Sequence, residues 1–545
     1  MGEERIQKLL YMLGFTIEKA TEKERIADKI ENYEVTLKKN QNGKKANYKH
    51  PIAAFGSEAM QDGFRVVCLY GTYDADRLIE MYREIGDAMN TIVLLDCSLN
   101  RDQRQRLARK IKKEASNAVF GLIDRVAFMF LVNNYKDATI SKMLMSVMMP
   151  FSFYQPYIYD SSSVIPPEMF IGRKTELNKI EDPNGANIVY GGRQLGKSAL
   201  LHMAKEEIDR NENGDRAVLI DVKGLNEQKS CLKVSQALVD EGILEAGSET
   251  EEWSELSRMI RKRLSQEENR IPYLLLLIDE ADAFVESSEK TDYSPFDNLL
   301  EIQNVGQKRF KFVIAGLRNV VRFNRDNAIS SNRSMTKFGA LAIRPLAYAE
   351  ARELLEVPLN CLGLRFPKEK EALVSMIFAS ANYFPGLIQL YCAKLIEAMT
   401  KDDYAGYDQD RTPPYEVVEK HIKKVLADTG FQQQIREKFM ITLKIDADDY
   451  YYVIALLMAY LYNNFNKDEG YTPEDIHEIA VEYGFGKIAK LDVEKVKALM
   501  EEMCELNVFH QLTENHFKFS RYNFYQMMGD KSKVEEEILS YLEGK

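Results

Sequence analysis

Residues Ile188 to Leu201 read Ile-Val-Tyr-Gly-Gly-Arg-Gln-Leu-Gly-Lys-Ser-Ala-Leu-Leu: a short apolar run, a glycine-bearing turn, then a helix opening at Lys197. Gly191, Gly196, Lys197 and Ser198 fill the fixed positions of G-x-x-x-x-G-K-[ST], and Gly192, Arg193, Gln194 and Leu195 lie between them. A loop that wraps phosphates must turn successive N–H groups inward, and glycine takes the dihedrals this needs while leaving room for the phosphate oxygens. Lys197 then reaches the β and γ phosphates, Ser198 offers a hydroxyl to Mg²⁺, and the helix start through Ala199 adds the positive end of its dipole. This stretch predicts a strand-loop-helix unit of a parallel α/β sheet.

A second stretch fits the same sheet. Tyr273 to Phe284 is an apolar run of strand length that ends in Asp279 and Glu280. A strand buried on both faces belongs in a parallel sheet and delivers its last residues to the carboxyl edge, where ligands bind. Asp279 is thereby expected to hold Mg²⁺, and Glu280 to orient or deprotonate an attacking water.

At 545 residues the chain exceeds a single core. No apolar run reaches membrane-spanning length, and the Met-Gly-Glu-Glu-Arg start has no signal-peptide character, so a cytoplasmic protein without a membrane partner is expected. The six cysteines are scattered with no C-x-x-C pair and read as reduced core residues. The net charge of −11 is uneven: residues 1–166 hold 24 Lys+Arg against 21 Asp+Glu, and residues 441–545 hold 11 against 20. That is not the distribution of a uniformly cationic nucleic-acid binder.

Composition shifts divide the chain into 1–50, an N-terminal helical segment followed by a polar passage from Lys38 to Lys49; 51–160, a small α/β accessory domain; 166–346, the phosphate-loop core; 347–440, a helical lid; and 441–545, three helices and a two-stranded wing. In the accessory domain, Asp96 and Asp124 stand at strand ends without a recognisable partner, which suits a docking module or a catalytic effector. Arg101 to Lys113 crowds Arg101, Arg104, Arg106, Arg109, Lys110, Lys112 and Lys113 onto one helix, a solvated face or a phosphate-binding one. The candidate recognition helix of the wing, Asp492 to Leu506, carries five acids against Lys495 and Lys497, which favours a protein-facing or nucleotide-locking wing over DNA contact.

Just before the loop, Phe170-Ile-Gly-Arg173 and Glu176 form an apolar-apolar-Gly-Arg-x-x-Glu pattern. Together with the loop and the Asp-Glu strand it resembles the STAND-class signalling ATPases and the related origin-recognition ATPases of the AAA+ group, although Lys174 replaces the acid usual in STAND proteins. The resemblance implies ATP and Mg²⁺ as cofactors, hydrolysis of ATP to ADP, a P-loop core with helical lid and winged helix, and nucleotide-contact roles for Phe170, Ile171, Gly172 and Arg173. It further implies that Arg318 or Asn319, after the strand Phe310 to Gly316, senses the γ-phosphate. Arg333 would be an arginine finger reaching a neighbouring subunit, or a surface arginine. Pro385, in Asn382-Tyr-Phe-Pro-Gly386, would touch the base. The function implied is an ATP-driven switch that self-associates or docks a protein partner, a build used in prokaryotic signalling and antiviral defence. The alternatives are a DNA-associated AAA+ ATPase resembling origin-recognition or transposition-regulator proteins, and a scaffold that no longer hydrolyses ATP.

Overall fold

The computed structural model describes residues 2–37 except 14 and 16, then 63–85, 89–113, 120–134, 157, 165, 169–209, 213–267, 270–305, 308–317, 319–323, 339–367, 371–402, 408–446 except 409, 412 and 414, 448–465 and 469–543. Among the described residues no helix is long and apolar enough to cross a membrane.

The chain opens with helix α1 (Glu3–Met12), which buries Ile6, Leu9 and Leu10, and continues into a hairpin of β1 (Ile17–Ala27) and β2 (Ile30–Leu37). Then come β3 (Phe64–Leu69), α2 (Ala75–Ile85), β4 (Thr91–Leu95), α3 (Arg101–Lys113), β5 (Phe120–Asp124) and α4 (Arg125–Asn133). The sheet runs β1-β2-β3-β4-β5, antiparallel over its first three strands and parallel over its last three.

Two expectations need correction here. The helix expected at the start of residues 1–50 is α1, but the hairpin β1–β2 joins the same sheet as β3 to β5, and the polar passage Lys38 to Lys49 lies outside the described residues. The strand-end carboxylates have partners. Asp124 is fully buried, accepts the N–H of Leu99 at 3.0 Å and of Ala127 at 2.9 Å, and ion-pairs with Arg104, while Asp96 takes Arg125 at 2.8 Å. An acid capping the helix that follows its strand serves the fold.

The second sheet holds the phosphate loop. Helix α5 (Lys174–Glu181) leads into β6 (Ala186–Tyr190), α6 (Lys197–Asp209), β7 (Arg216–Asp221), α7 (Glu227–Asp240), α8 (Trp253–Ser265), β8 (Leu274–Asp279), α9 (Asp282–Ser288), α10 (Ser294–Val305), β9 (Phe310–Gly316) and β10 (Gly339–Ala342). All five strands are parallel, in the order β10-β6-β9-β8-β7. β6, β8 and β9 are buried along their whole length, as a sheet covered on both faces requires. One face packs Trp253, Phe284, Phe296 and Phe323 around Ile278 and Ile314. The order places β9 between the strand that feeds the loop and the strand that ends in Asp279, so both open on the same carboxyl edge.

Helices follow: α11 (Tyr348–Cys361), α12 (Glu371–Ala381), α13 (Pro385–Lys401), α14 (Glu419–Leu426) and α15 (Thr429–Leu443), with a short parallel pair β11 (Leu364–Arg365) and β12 (Tyr415–Glu416). The C-terminal part has α16 (Tyr450–Phe465), α17 (Pro473–Glu482), α18 (Val493–Glu505), the antiparallel pair β13 (Phe509–Thr513) and β14 (His516–Phe519), then α19 (Tyr522–Met528) and α20 (Lys531–Glu543). Thr472 and Asp492 cap α17 and α18 by accepting the N–H groups of Asp475 and Lys495.

By internal contacts the chain forms two units. One comprises 1–172, 347–381 and 386–431, and the other 173–346, 382–385 and 432–545. The first unit thus groups residues 347–381 and 386–431 with the N-terminal sheet, and the second groups residues 432–545 with the phosphate-loop sheet.

Candidate functional site

The site is built at the carboxyl edge of β6 and β8. β6 ends at Tyr190, and the loop that follows uses backbone conformations few sequences tolerate: φ is +150° at Gly191, +63° at Gln194 and +87° at Gly196. Two of its glycines are also required by close approach. A Cβ on Gly191 would stand 2.6 Å from the Ile343 carbonyl oxygen, and one on Gly192 would stand 2.3 Å from that of Leu506. Leu195 is fully buried and anchors the loop's far side.

Lys197 opens α6, is 9% exposed as a residue, and its ammonium donates to the carbonyls of Gly191 at 2.9 Å and Gly192 at 3.0 Å. Burial pushes this lysine down to about 8, against the pull of Asp279, Glu280 and Asp282, which hold the charged form. Ser198 is exposed at the helix start, and Arg193, Gln194 and Ala199 are half-buried around it.

Asp279 closes β8 at 7% exposure, and its Oδ1 accepts the Glu280 N–H at 2.8 Å. That bond holds Glu280 in the left-handed region, φ +53°, a conformation costly for a side chain of this kind. Burial first, and Asp279 next, push the Glu280 carboxyl above the usual carboxylate range. Asp282 points the other way. Its Oδ2 accepts from Leu317 N–H at 2.7 Å and its Oδ1 from Asn319 N–H at 2.8 Å, tying the end of β9 to α9. Asn319 turns its amide onto the Asp282 carbonyl and the Glu286 carboxylate. Arg318 and Arg333 lie outside the described residues.

Arg173 braces the loop from behind. It is 6% exposed, and its guanidinium donates to the carbonyls of Leu195, at 3.2 Å, and Arg344, and to Glu176 at 3.1 Å. Two backbone carbonyls and one carboxylate thus take its donors, a use the Gly-Arg pattern did not foretell. Phe170, Ile171 and Gly172 belong to the other unit, where a Cβ on Gly172, at φ +74°, would meet the Glu350 carboxylate at 2.6 Å. Pro385 lies against the loop, with its Cγ 3.7 Å from the Cβ position of Gly196.

Three contributors escaped the sequence reading: Asp282, Arg344 and the end of α18. The Asp-Glu-Ala-Asp spacing was a signal for Asp282. Nothing local marks Arg344, because its partners lie about 160 residues further on.

Among the described residues no three of His, Cys, Asp or Glu gather as a metal cage. Ser198 near the start of α6 carries a hydroxyl, and Asp279 at the end of β8 a carboxylate. That set fits Mg²⁺, which keeps most of its water and leans on substrate phosphates, better than a metal held by protein alone.

Residues 180–322 match the family model described as an AAA domain. No curated protein matches the chain. Among solved structures, a Walker-type ATPase of Pyrococcus abyssi aligns at 15% identity and a TM-score of 0.46, over 68% of this chain and 99% of that one. The Aeropyrum pernix ORC2 protein, in ADPNP–ADP complexes, aligns at 12% identity and 0.43, over 70% and 98%. Drosophila ORC bound to DNA aligns at 15% identity and 0.33, over 70% and 89%. The matched residues 180–322 carry the loop, the Asp-Glu strand and four of the five strands of the parallel sheet.

Proposed function

We propose that the chain binds ATP with Mg²⁺ at the loop Gly191–Ser198 and hydrolyses it slowly, as a switch whose two nucleotide states differ in self-association or in docking a protein partner. The observation that carries this is the buried Lys197, whose ammonium donates to the Gly191 and Gly192 carbonyls in a glycine loop that opens on the same sheet edge as Asp279. A charge held at such a desolvation cost is explained by an anion that replaces the loop carbonyls as its partner.

Lys197 and the loop N–H groups would bind and orient the phosphates, with Pro385 lying over the loop at Gly196. Ser198 and Asp279 would hold Mg²⁺, which when bound neutralises phosphate charge. Glu280, with its affinity for a proton raised, would take the proton of the attacking water. Closure around nucleotide supplies the change of state and hydrolysis the reset.

The DNA-associated reading has less support. Of the cations on α3, Arg104 is paired with Asp124 and Lys110 with Asp76, while on α18 the acids outnumber the lysines. Purified protein assayed for ATP turnover with and without duplex DNA, alongside sizing in ADP and in a non-hydrolysable analogue, tests the proposal. Turnover lost in Lys197→Ala, indifferent to DNA and accompanied by a nucleotide-dependent change in size, is the expected result. Absence of ATP binding to the wild-type protein would sink it.

A further inference from the structure

Arg344 follows β10 and stands where two parts of one unit meet. Its carbonyl accepts from the Arg173 guanidinium, which also holds the loop at the Leu195 carbonyl. Its own guanidinium donates forward, to the Cys504 carbonyl at 3.2 Å, the Glu505 carboxylate at 3.1 Å and the Asn507 side-chain oxygen at 3.5 Å. These acceptors are the last turn and the cap of α18. Asn507 has φ +62°, the left-handed conformation that ends a helix, and its amide returns to the Ile343 carbonyl at 3.3 Å. The Leu506 carbonyl lies so close to Gly192 that no side chain fits between them. A second ion pair, Arg322 to Glu502 at 3.0 Å, fixes the same helix one turn earlier.

The phosphate loop is thus connected to α18 by an unbroken polar path: Leu195 carbonyl, Arg173, Arg344, end of α18. The path is reinforced by a direct backbone contact at Gly192. Helix-end carbonyls carry partial negative charge, and Arg344 is the cation that neutralises them beside a loop built for anions. A shift of the loop that moves Leu195 or Gly192 cannot leave the end of α18 where it is, because packed and hydrogen-bonded contacts of this kind deform little before they break.

We propose that Arg344 is a positioning residue that joins the phosphate loop to the end of α18, so that the conformation of residues 191–196 and the docking of residues 503–508 form one equilibrium. The inference rests on the nucleotide reading for its ligand but not for its mechanics. By linkage, a ligand that prefers one loop conformation changes the docking of α18, and loosening α18 changes affinity at the loop by the same factor.

The test is amide hydrogen exchange on the full chain, with and without ADP, in wild type, Arg344→Ala, Arg344→Lys and Glu505→Gln, with Arg322→Ala as a variant that loosens α18 outside the path. In nucleotide-free protein, Arg344→Ala is expected to speed exchange in both 191–196 and 503–508. Arg344→Lys, which cannot span the same acceptors, should do so less, and Arg322→Ala should affect 503–508 more than the loop. With ADP, protection at 503–508 is expected to rise in wild type and to stop responding in Arg344→Ala. Unchanged exchange at 191–196 in both Arg344→Ala and Arg344→Lys would overturn the link whether or not nucleotide binds. Failure of wild type to bind ADP, with both segments loosened by Arg344→Ala, would remove the nucleotide reading and leave the link standing.

Discussion

The Lys197 ammonium donates to the Gly191 carbonyl at 2.9 Å, so the lysine that should grip phosphate is held by the loop it belongs to. Burial has pushed it down to about 8. Anionic phosphates would raise it again, which means that binding takes up a proton wherever the free lysine is neutral. The sign follows. Affinity for ATP is full below pH 8 and falls as pH rises through 8, by up to about tenfold per unit until the bound-state value is passed. Titration calorimetry at pH 7 and pH 9, in buffers of different ionisation enthalpy, checks this. Equal affinity at both values, with no proton uptake at pH 9, would show that Lys197 does not meet the phosphates.

Glu280 has a strained backbone, and burial raises its proton affinity. As a general base it must be ionised. Turnover should therefore have an acid limb above the ordinary carboxylate range, rising with pH as Glu280 loses its proton. Glu280→Gln should bind ATP as tightly as wild type and lose roughly 10²-fold or more in turnover. A variant that still turns over at the wild-type rate makes the chain a scaffold, or puts the base elsewhere.

These two residues were legible in the sequence because local chemistry dictates them: a glycine loop needs its lysine, and a fully apolar strand can end in acids only where it leaves the core. The β1–β2 hairpin was not legible, for an equally physical reason. Along β2 the inward positions are Glu31, Tyr33 and Val35, all buried, and the charge at Glu31 breaks the apolar alternation that announces a strand. Only the fold reveals that the phenols of Tyr33 and Tyr70 donate to that carboxylate at 2.9 and 2.8 Å. The bracing role of Arg173 was hidden in the same way, since two of its acceptors, at Leu195 and Arg344, are backbone carbonyls that no side-chain pattern encodes.

Asp124 offers a test of the corrected reading of the first sheet. Asp124→Ala strips two N–H groups of their acceptor and leaves Arg104 facing a buried gap, a loss of about 2–4 kcal/mol. Denaturant unfolding of the full chain should show an early transition for the unit that holds the first sheet. Asp124→Asn, which can keep the cap but not the charge, should lose less. ATP binding should be unaffected by either change, and a loss of turnover at wild-type stability would return Asp124 to the list of catalytic candidates.

Gly192→Ala isolates the backbone contact between the loop and α18. The added methyl carbon would sit 2.3 Å from the Leu506 carbonyl oxygen, a distance no Cβ tolerates, and both neighbours are backbone, so neither can swing aside as a side chain would. Either the loop or the helix end must move, at a cost of about 1–3 kcal/mol in thermal or denaturant unfolding. Gly486 is the control: nothing lies within 4 Å of its Cβ position, so Gly486→Ala should stay within about 0.5 kcal/mol of wild type. If the helix end is what yields, exchange at 503–508 rises while Lys197 keeps its loop contacts and ATP binds. If the loop yields, ATP affinity falls with stability. A Gly192→Ala protein with wild-type melting and wild-type exchange would mean that α18 does not rest on the loop in solution.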